Sequence, residues 1–295
     1  MNRLCGAIVA RNGGALLGEA LADLTAALGE DNVVVIDNDS RDGSTRALAV
    51  AVRREPVNRG YAAGANRALA WARERGADGL LLLNQDARLD AASLARLAVV
   101  FASDANIAAV FAKVVDRDHP YVLQGLAGRL NHRHKLTTAL GEGRIDSAAP
   151  AYPLVVQHGY GAALLLRVDA ALAAGGFDER LFAYHEEIEL CWRLRRRHYL
   201  VVLEPRAVVR HRGPAGDPRR ERAKAYLVAR NSVLAARRNG GRLAAGLVLS
   251  WALAAGILYY GPLALTGDER ARAALAGWWD GLRGGEIRPA IRNLL

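Results

Sequence analysis

At 295 residues the chain is long enough to bury one substantial core, and its 52% hydrophobic content excludes general disorder. Cys5 and Cys191 stand far apart without metal-ligand spacing, which excludes a disulfide framework and a zinc site and fits a reducing cytosol. The formal net charge of +10 is concentrated in residues 191–240, where fourteen Arg or Lys face only Glu204, Asp217 and Glu221.

The chain opens "MNRLCGAIVARNGG", whose apolar run is broken by Arg11 before it reaches signal-peptide length. "CGAIVA" therefore predicts a first strand, and "GALLGEALADLTAALG" an amphipathic helix ending near Gly29. "NVVVID" predicts a second strand closed by the turn "NDSRDGS", with a further helix opening over residues 43–49. "YAAGANRALAWARERG" reads as a helix finishing at Gly76, "GLLLLN" as a buried strand, and residues 91–103 as the next helix. This alternation is the pattern of a wound α/β sheet.

The rhythm is lost over residues 116–153, a length that in a compact domain marks a lid, an acceptor-binding loop or a disordered segment. "LVVQHGYGAALLLR" restores strand character, "VDAALAAGGFDERLFAY" is a helix and turn, and residues 186–198 form a short helix. "YLVVLEPRAVVRH" reads as a pair of final strands. No internal repeat appears, and the composition shifts at "GPAGD". A catalytic domain over 1–215 is therefore expected, followed by a basic and apolar helical region over 216–295. Residues 243–265 carry no charge and are long enough to span a bilayer. A polybasic segment directly before such a run predicts membrane association. Its small residues and the Gly261-Pro262 pair weaken a crossing and leave an interfacial helix or a buried partner helix as alternatives, with membrane association expected over full spanning.

Strands buried on both faces are continuously apolar, and ligands bind at their carboxyl edge. Asp37 and Asp86 each end such a strand and should face one crevice. Acids there suit a diphosphate held through Mg²⁺ or Mn²⁺, with Asp86 as ligand; the competing reading makes Asp86 a cap for the helix at Ala91. In "YHEEIELCWRLRRR", Glu186, Glu187 and Glu189 crowd the first turn of a helix. The helix dipole alone would favour them there, whereas mutual repulsion would raise their pKa values toward those of a general base. His211 ends "AVVRH", and a lone histidine reads as a surface or satisfied core residue.

In order and spacing, "VVVIDNDSRDGS", "NRGYAAGANRAL", "LLLNQDARLD", "GGFDERLFAYHEEIELCWRLR" and "PRAVVRH" resemble the successive blocks of family 2 glycosyltransferases, in particular their rhamnosyltransferase-like bacterial members. The resemblance covers residues 8–211, with fainter echoes in "AYLVARN" and "WWDGLRGG". It implies a GT-A fold, a Rossmann-like mixed sheet flanked by helices, here with a C-terminal membrane-associating appendage. It further implies a nucleotide-diphosphate sugar donor (dTDP- or UDP-linked), inversion at the anomeric carbon, and a glycan or lipid-linked acceptor at the cytoplasmic membrane face. Carried onto this chain, Asp37 would bond the nucleobase, Asp86 the metal, and His211 would be a further metal ligand. Glu187, beside Glu186, stands where the family has the catalytic aspartate. Asn12, Asn58, Gly60, Gly64 and Asn84 fall in donor-binding blocks, and Arg193 offers electrostatic help to the leaving diphosphate. The chain departs from the family pattern with "NQD" for "NPD", "EExE" for "EDxD" and "VARN" near the start, where Asn12 is retained.

Three other readings compete. A nucleic-acid binder is suggested by the charge, but the basic segment lacks interleaved aromatics or a binding motif, so no nucleic-acid partner is expected. A nucleotidyltransferase or sugar-nucleotide hydrolase shares the wound sheet, since fold does not fix chemistry. An inactive scaffold would also account for the glutamate substitutions. Nothing in the pattern fixes an oligomeric state.

Overall fold

The computed structural model describes residues 2–130, 137–146, 150–213, 217–292 and 294. The N-terminal half alternates strand and helix: β1 (Leu4–Ala10), α1 (Gly14–Leu28), β2 (Val33–Asn38), β3 (Ala51–Glu55), α2 (Tyr61–Glu74), β4 (Gly79–Leu83), β5 (Ala87–Leu89) and α3 (Ala91–Ser103). Strands dominate next, with β6 (Ile107–Asp116), β7 (Leu123–Gly125), β8 (Ala127–Leu130), β9 (Thr137–Leu140), β10 (Leu154–Val155) and β11 (Ala163–Arg167). There follow α4 (Val168–Ala173), α5 (Glu186–Arg196), β12 (Leu200–His211), α6 (Pro218–Ala255), α7 (Gly261–Leu265), α8 (Glu269–Arg283) and α9 (Pro289–Arg292).

The main sheet runs β10-β12-β6-β11-β4-β1-β2-β3, with β5 on β12 and β7 on β6. β3, β2, β1 and β4 are mutually parallel, while β11 lies antiparallel between β4 and β6, so the sheet is mixed. Side-chain alternation splits each buried strand between two cores. Leu80 and Leu82 pack with α2, α4 and α5, whereas Leu81 and Leu83 pack with α1 and α3. This is the wound α/β architecture that the chain-order pattern predicts.

Three sequence expectations change. Residues 43–49 form turns rather than a helix, because Asp42 bonds the Ser44 amide and hydroxyl and Thr45 is drawn onto Asp37. The exposed β3 that follows, rich in charge, pairs at the sheet edge where burial is not required. Residues 200–211 are one long strand with a register shift between Glu204 and Val208, not two strands. Within the irregular stretch, β7, β8 and β9 supply order, and its residues 131–136 and 147–149 lie outside the described residues.

The domain boundary expected at 215 also lies outside the described residues. Beyond it, α6 is two helices joined at Gly241, whose φ of 69° breaks the helical path. α8 returns along α6, and Gly277 and Gly281 face the Tyr226 and Arg230 carbonyls so closely that a Cβ would collide. These helices share an apolar core with Ile188 and Trp192 of α5, which seats them on the face that carries α2 and α4.

Candidate active site

The leucines of β4 stop at a turn. The Asn84 amide donates to the Ala162 carbonyl at 3.0 Å, and the Ala87 amide closes back on the Asn84 carbonyl at 3.1 Å. Gln85 accepts from the Arg11 amide at 2.8 Å and donates to its carbonyl at 3.1 Å, tying the turn to the end of β1. Asp86 is thereby presented beside the end of β12, with Oδ1 3.2 Å from His211 Nε2. It does not cap α3: that work is done by Asp90, which accepts from the Ser93 amide at 2.7 Å. Burial alone would raise the Asp86 carboxyl, but the His211 hydrogen bond and charge outweigh it and hold Asp86 below the usual carboxylate range.

His211 is itself oriented. Gln124 donates its amide to the His211 carbonyl at 2.7 Å and to Asp116 at 3.1 Å, so its Oε1 is left to accept from His211 Nδ1 at 2.8 Å. With Nδ1 donating to Gln124, Nε2 donates to Asp86 when the ring is an imidazolium, and in the neutral ring its lone pair faces Asp86 and Asn84, the latter at 3.3 Å, where a cation can take it. One carboxylate and one imidazole with an orienting partner fit a hard divalent cation that keeps positions open for phosphate oxygens. Among the described residues no third His, Cys, Asp or Glu joins them.

Across the crevice, Asp37 accepts from Thr45 Oγ1 at 2.5 Å and the Ser40 amide at 2.9 Å, with Arg54 at 3.5 Å. A cavity of about 640 Å³ opens over it. Asn12 meets the same loop, its Oδ1 accepting from the Arg41 amide at 2.8 Å. Asn58 accepts from Asn38 and from the Gly60 amide, fixing the turn into α2.

The acids stand on a strained approach. Phe182, Tyr184 and His185 hold φ values of 67°, 66° and 71°, a region that costs about 1–3 kcal/mol per residue outside glycine. They deliver Glu186 and Glu187 to the first turn of α5. Oε2 of each glutamate and Nδ1 of His185 are buried without a hydrogen-bond partner. Burial pushes the Glu187 carboxyl up to about 7; burial and the Glu187 charge push Glu186 well above its ordinary range. Burial also holds His185 down at about 3, so it is neutral at pH 7. Glu187 packs against Gly161, next to the Ala162 carbonyl that anchors the Asn84 turn. The Tyr184 hydroxyl, pushed up first by burial, also feels the charges of Glu186 and Asp86. Asp86, His211, Asn84 and the two glutamates therefore share one corner, and Asp37, Asn12 and Asn58 line the other end of the crevice.

Three candidates sit differently from expectation. Arg193 is a half-buried strut: it forks onto Glu189 at 2.5–2.9 Å and donates to the Ala174 and Gly176 carbonyls, which leaves no free edge for a diphosphate. Glu189 is accordingly ion-paired and separate from the unpartnered pair. Gly64 is required because a Cβ would lie 2.5 Å from Val9, a helix-on-strand contact in the core. Gly60, with φ of 85°, is required by Phe182, whose ring and carbonyl a Cβ would meet at 2.5 Å. Gln124 escapes the sequence reading because a lone glutamine carries no spacing signal, and Gln85 enters it only as the departure in "NQD", without its tie to Arg11.

A family profile described as Glycosyl transferase family 2 matches residues 7–164. The chain is 29% identical over 210 residues to an N-acetylglucosaminyl-diphospho-decaprenol L-rhamnosyltransferase of Mycobacterium tuberculosis; the match covers 61% of this chain and 66% of that protein, just under two thirds of its length. In structure it is similar to a mannosyltransferase of Pyrobaculum calidifontis in complex with GDP-Man and Mn²⁺, at 18% identity and a TM-score of 0.59 over 97% of this chain and 88% of that one. It is also similar to residues 1–349 of S. aureus TarS, at 14% identity and a TM-score of 0.51 over 97% and 93% of the two chains.

Proposed function

The chain belongs to glycosyltransferase family 2 and has the GT-A fold, and on that premise we propose that it transfers a sugar, with inversion, from a nucleotide-diphosphate sugar to a hydroxyl of a glycan or lipid-linked acceptor. The observation that carries this reading is the pairing of an ionised Asp86 with a Glu187 poised near neutrality in the same corner. Glu187 Oε2, buried and unpartnered, takes the proton of the acceptor hydroxyl as that oxygen bonds to the anomeric carbon and the bond to the donor diphosphate breaks. Glu186, whose carboxyl burial and the Glu187 charge push well above its ordinary range, stands next to that base. Asp86 and His211 would hold Mg²⁺ or Mn²⁺, which when bound neutralises charge on the departing diphosphate. Asp37, Asn12 and Asn58 line the nucleotide end. The M. tuberculosis relative, named for a decaprenol-linked acceptor, supports a lipid-linked acceptor and a role in cell-wall or polysaccharide assembly.

Membrane association at the cytoplasmic face follows from the same reading. The stretch Pro218–Leu265 is long and apolar enough to cross a bilayer. Its Ala244, Ala245, Val248 and Ala252 pack on α8, however, while Leu243, Leu253, Ile257 and Leu258 are exposed. One packed face and one exposed apolar face support a helix lying on the surface. Leu258→Glu, at a side chain 80% exposed, should weaken binding to anionic vesicles by about tenfold, read by co-sedimentation.

The direct test is thermal-shift screening of sugar nucleotides with Mg²⁺ or Mn²⁺, followed by transfer assays on Glu187→Gln. The reading requires Glu187→Gln to keep donor binding and lose transfer. Release of nucleotide without any acceptor would instead indicate a hydrolase.

A further inference from the structure

Outside the reaction corner a second cavity, of about 940 Å³, lies between the Asn58–Arg59 turn, residues 179–182 and the C-terminal helices. Six arginines line it, Arg59, Arg180, Arg230, Arg237, Arg238 and Arg292, against Glu179 and Glu286. Three of these are neutralised: Arg59 by Glu179 at 3.0 Å, Arg180 by Asp178 at 2.7 Å, and Arg238 by Asp178 at 2.7 Å.

The other three have no carboxylate at ion-pair distance among the described residues. Arg230 is only 3% exposed, yet it donates solely to neutral oxygens, those of Gly285, Arg180 and the Asn231 side chain. Arg237 donates to the Leu282 carbonyl at 2.9 Å, and Arg292 stands over the Phe182 ring. A guanidinium withdrawn from water without a counter-charge is costly, and burial accordingly pulls Arg230 below its ordinary pKa. One buried guanidinium and two exposed ones, none of them paired with a carboxylate among the described residues, surround one open space and match an anion with several acceptor oxygens, which guanidinium forks bind in pairs.

The last turns of α8 lead into the lining residues Gly284 and Gly285. There Leu282, whose carbonyl holds Arg237, is 44% exposed, and Trp279 one turn earlier is 51% exposed with Arg283 over its ring. A cationic cavity with exposed apolar side chains on the helix end beside it fits a headgroup with a hydrocarbon chain attached. The cavity wall at Phe182 also begins the segment that carries Glu186 and Glu187.

We propose that this cavity binds the diphosphate of a prenyl-type diphosphate ester, the apolar chain lying over Trp279 and Leu282, as the anchor subsite for a lipid-linked acceptor. The assignment rests on the acceptor class proposed above, but direct binding measures it without any transfer. Titration calorimetry would compare farnesyl diphosphate, inorganic diphosphate and UDP on the full chain, in wild type and in Arg237→Ala/Arg292→Ala. Those two side chains are exposed, so the double variant keeps the buried Arg230 hub intact. Farnesyl diphosphate should bind wild type at least about tenfold more tightly than inorganic diphosphate, and the double variant should lose about tenfold for both. Equal binding by wild type and double variant overturns the site. Inorganic diphosphate binding as tightly as the prenyl ester overturns the lipid source in favour of a free anion. UDP displacing farnesyl diphosphate from wild type, with UDP affinity lost in the double variant, gives the cavity to the donor and overturns the acceptor assignment. Absence of transferase activity together with intact prenyl-diphosphate binding would sink the proposed reaction and leave the site standing.

Discussion

Two kinds of carboxylate in one corner of the crevice are built in opposite ways. Asp86 sits on a tight turn, accepts from a histidine that is itself held by Gln124, and is pulled below the usual carboxylate range. Glu186 and Glu187 sit at the end of a strained loop, leave one oxygen each without a partner, and are pushed upward by burial. Satisfaction keeps a charge in place, and deprivation makes a proton negotiable. The proposed reaction, which must hold a cation and accept a proton, needs one carboxylate of each kind, and here the two kinds differ in hydrogen bonding as well as in residue type.

That contrast can be broken from either side. Glu187→Gln should lower transfer by about 10²–10⁴-fold with nucleotide-sugar affinity retained, measured by product release and calorimetry. Gln124→Leu frees the His211 ring and should weaken Mn²⁺ binding by about 10–100-fold, with little change in the acid limb of the pH profile. That limb belongs to Glu187: kcat/KM should fall about tenfold per unit as pH drops below 7, because the carboxyl is pushed up to about 7 and the base must be ionised. The smallest effect concerns stability. Since the folded pKa lies above the ordinary 4.5, the stability contributed by protonated Glu187 is complete below about pH 4.5 and lost as pH rises through about 7. Glu187→Gln should therefore raise Tm at pH 8, on the order of 1 kcal/mol given partial exposure, and leave it unchanged at pH 4.

Much of the scaffold is written in apolar periodicity. β1, β2, β4, α1, α2 and α3 follow from runs that must be buried, and Asp37 and Asp86 follow from where those runs stop. β3 is not legible, because an edge strand rich in arginine and glutamate needs no apolar pattern. Of the acids, "EEIE" marks the helix start but not which glutamates are free: Glu189 is spoken for by Arg193 and Arg238, partners contributed by α5 itself and by a helix almost fifty residues later. Gln124 belongs to a stretch without rhythm, and its value lies in a contact 87 residues away. Long-range hydrogen bonds leave no local periodicity, so the site's supporting shell stays hidden where its acids are visible.

The Phe182 carbonyl accepts from the Ala62 amide at 2.9 Å while its ring covers the Cα of Gly60. A side chain of any size at residue 60 must push on main chain that leads, four residues later, into Glu186 and Glu187. The turn at Asn58 and Gly60 and the two glutamates are thus inherited together: neither can drift by point mutation at this joint without dragging the other, and a variant that repairs one half must be compatible with both.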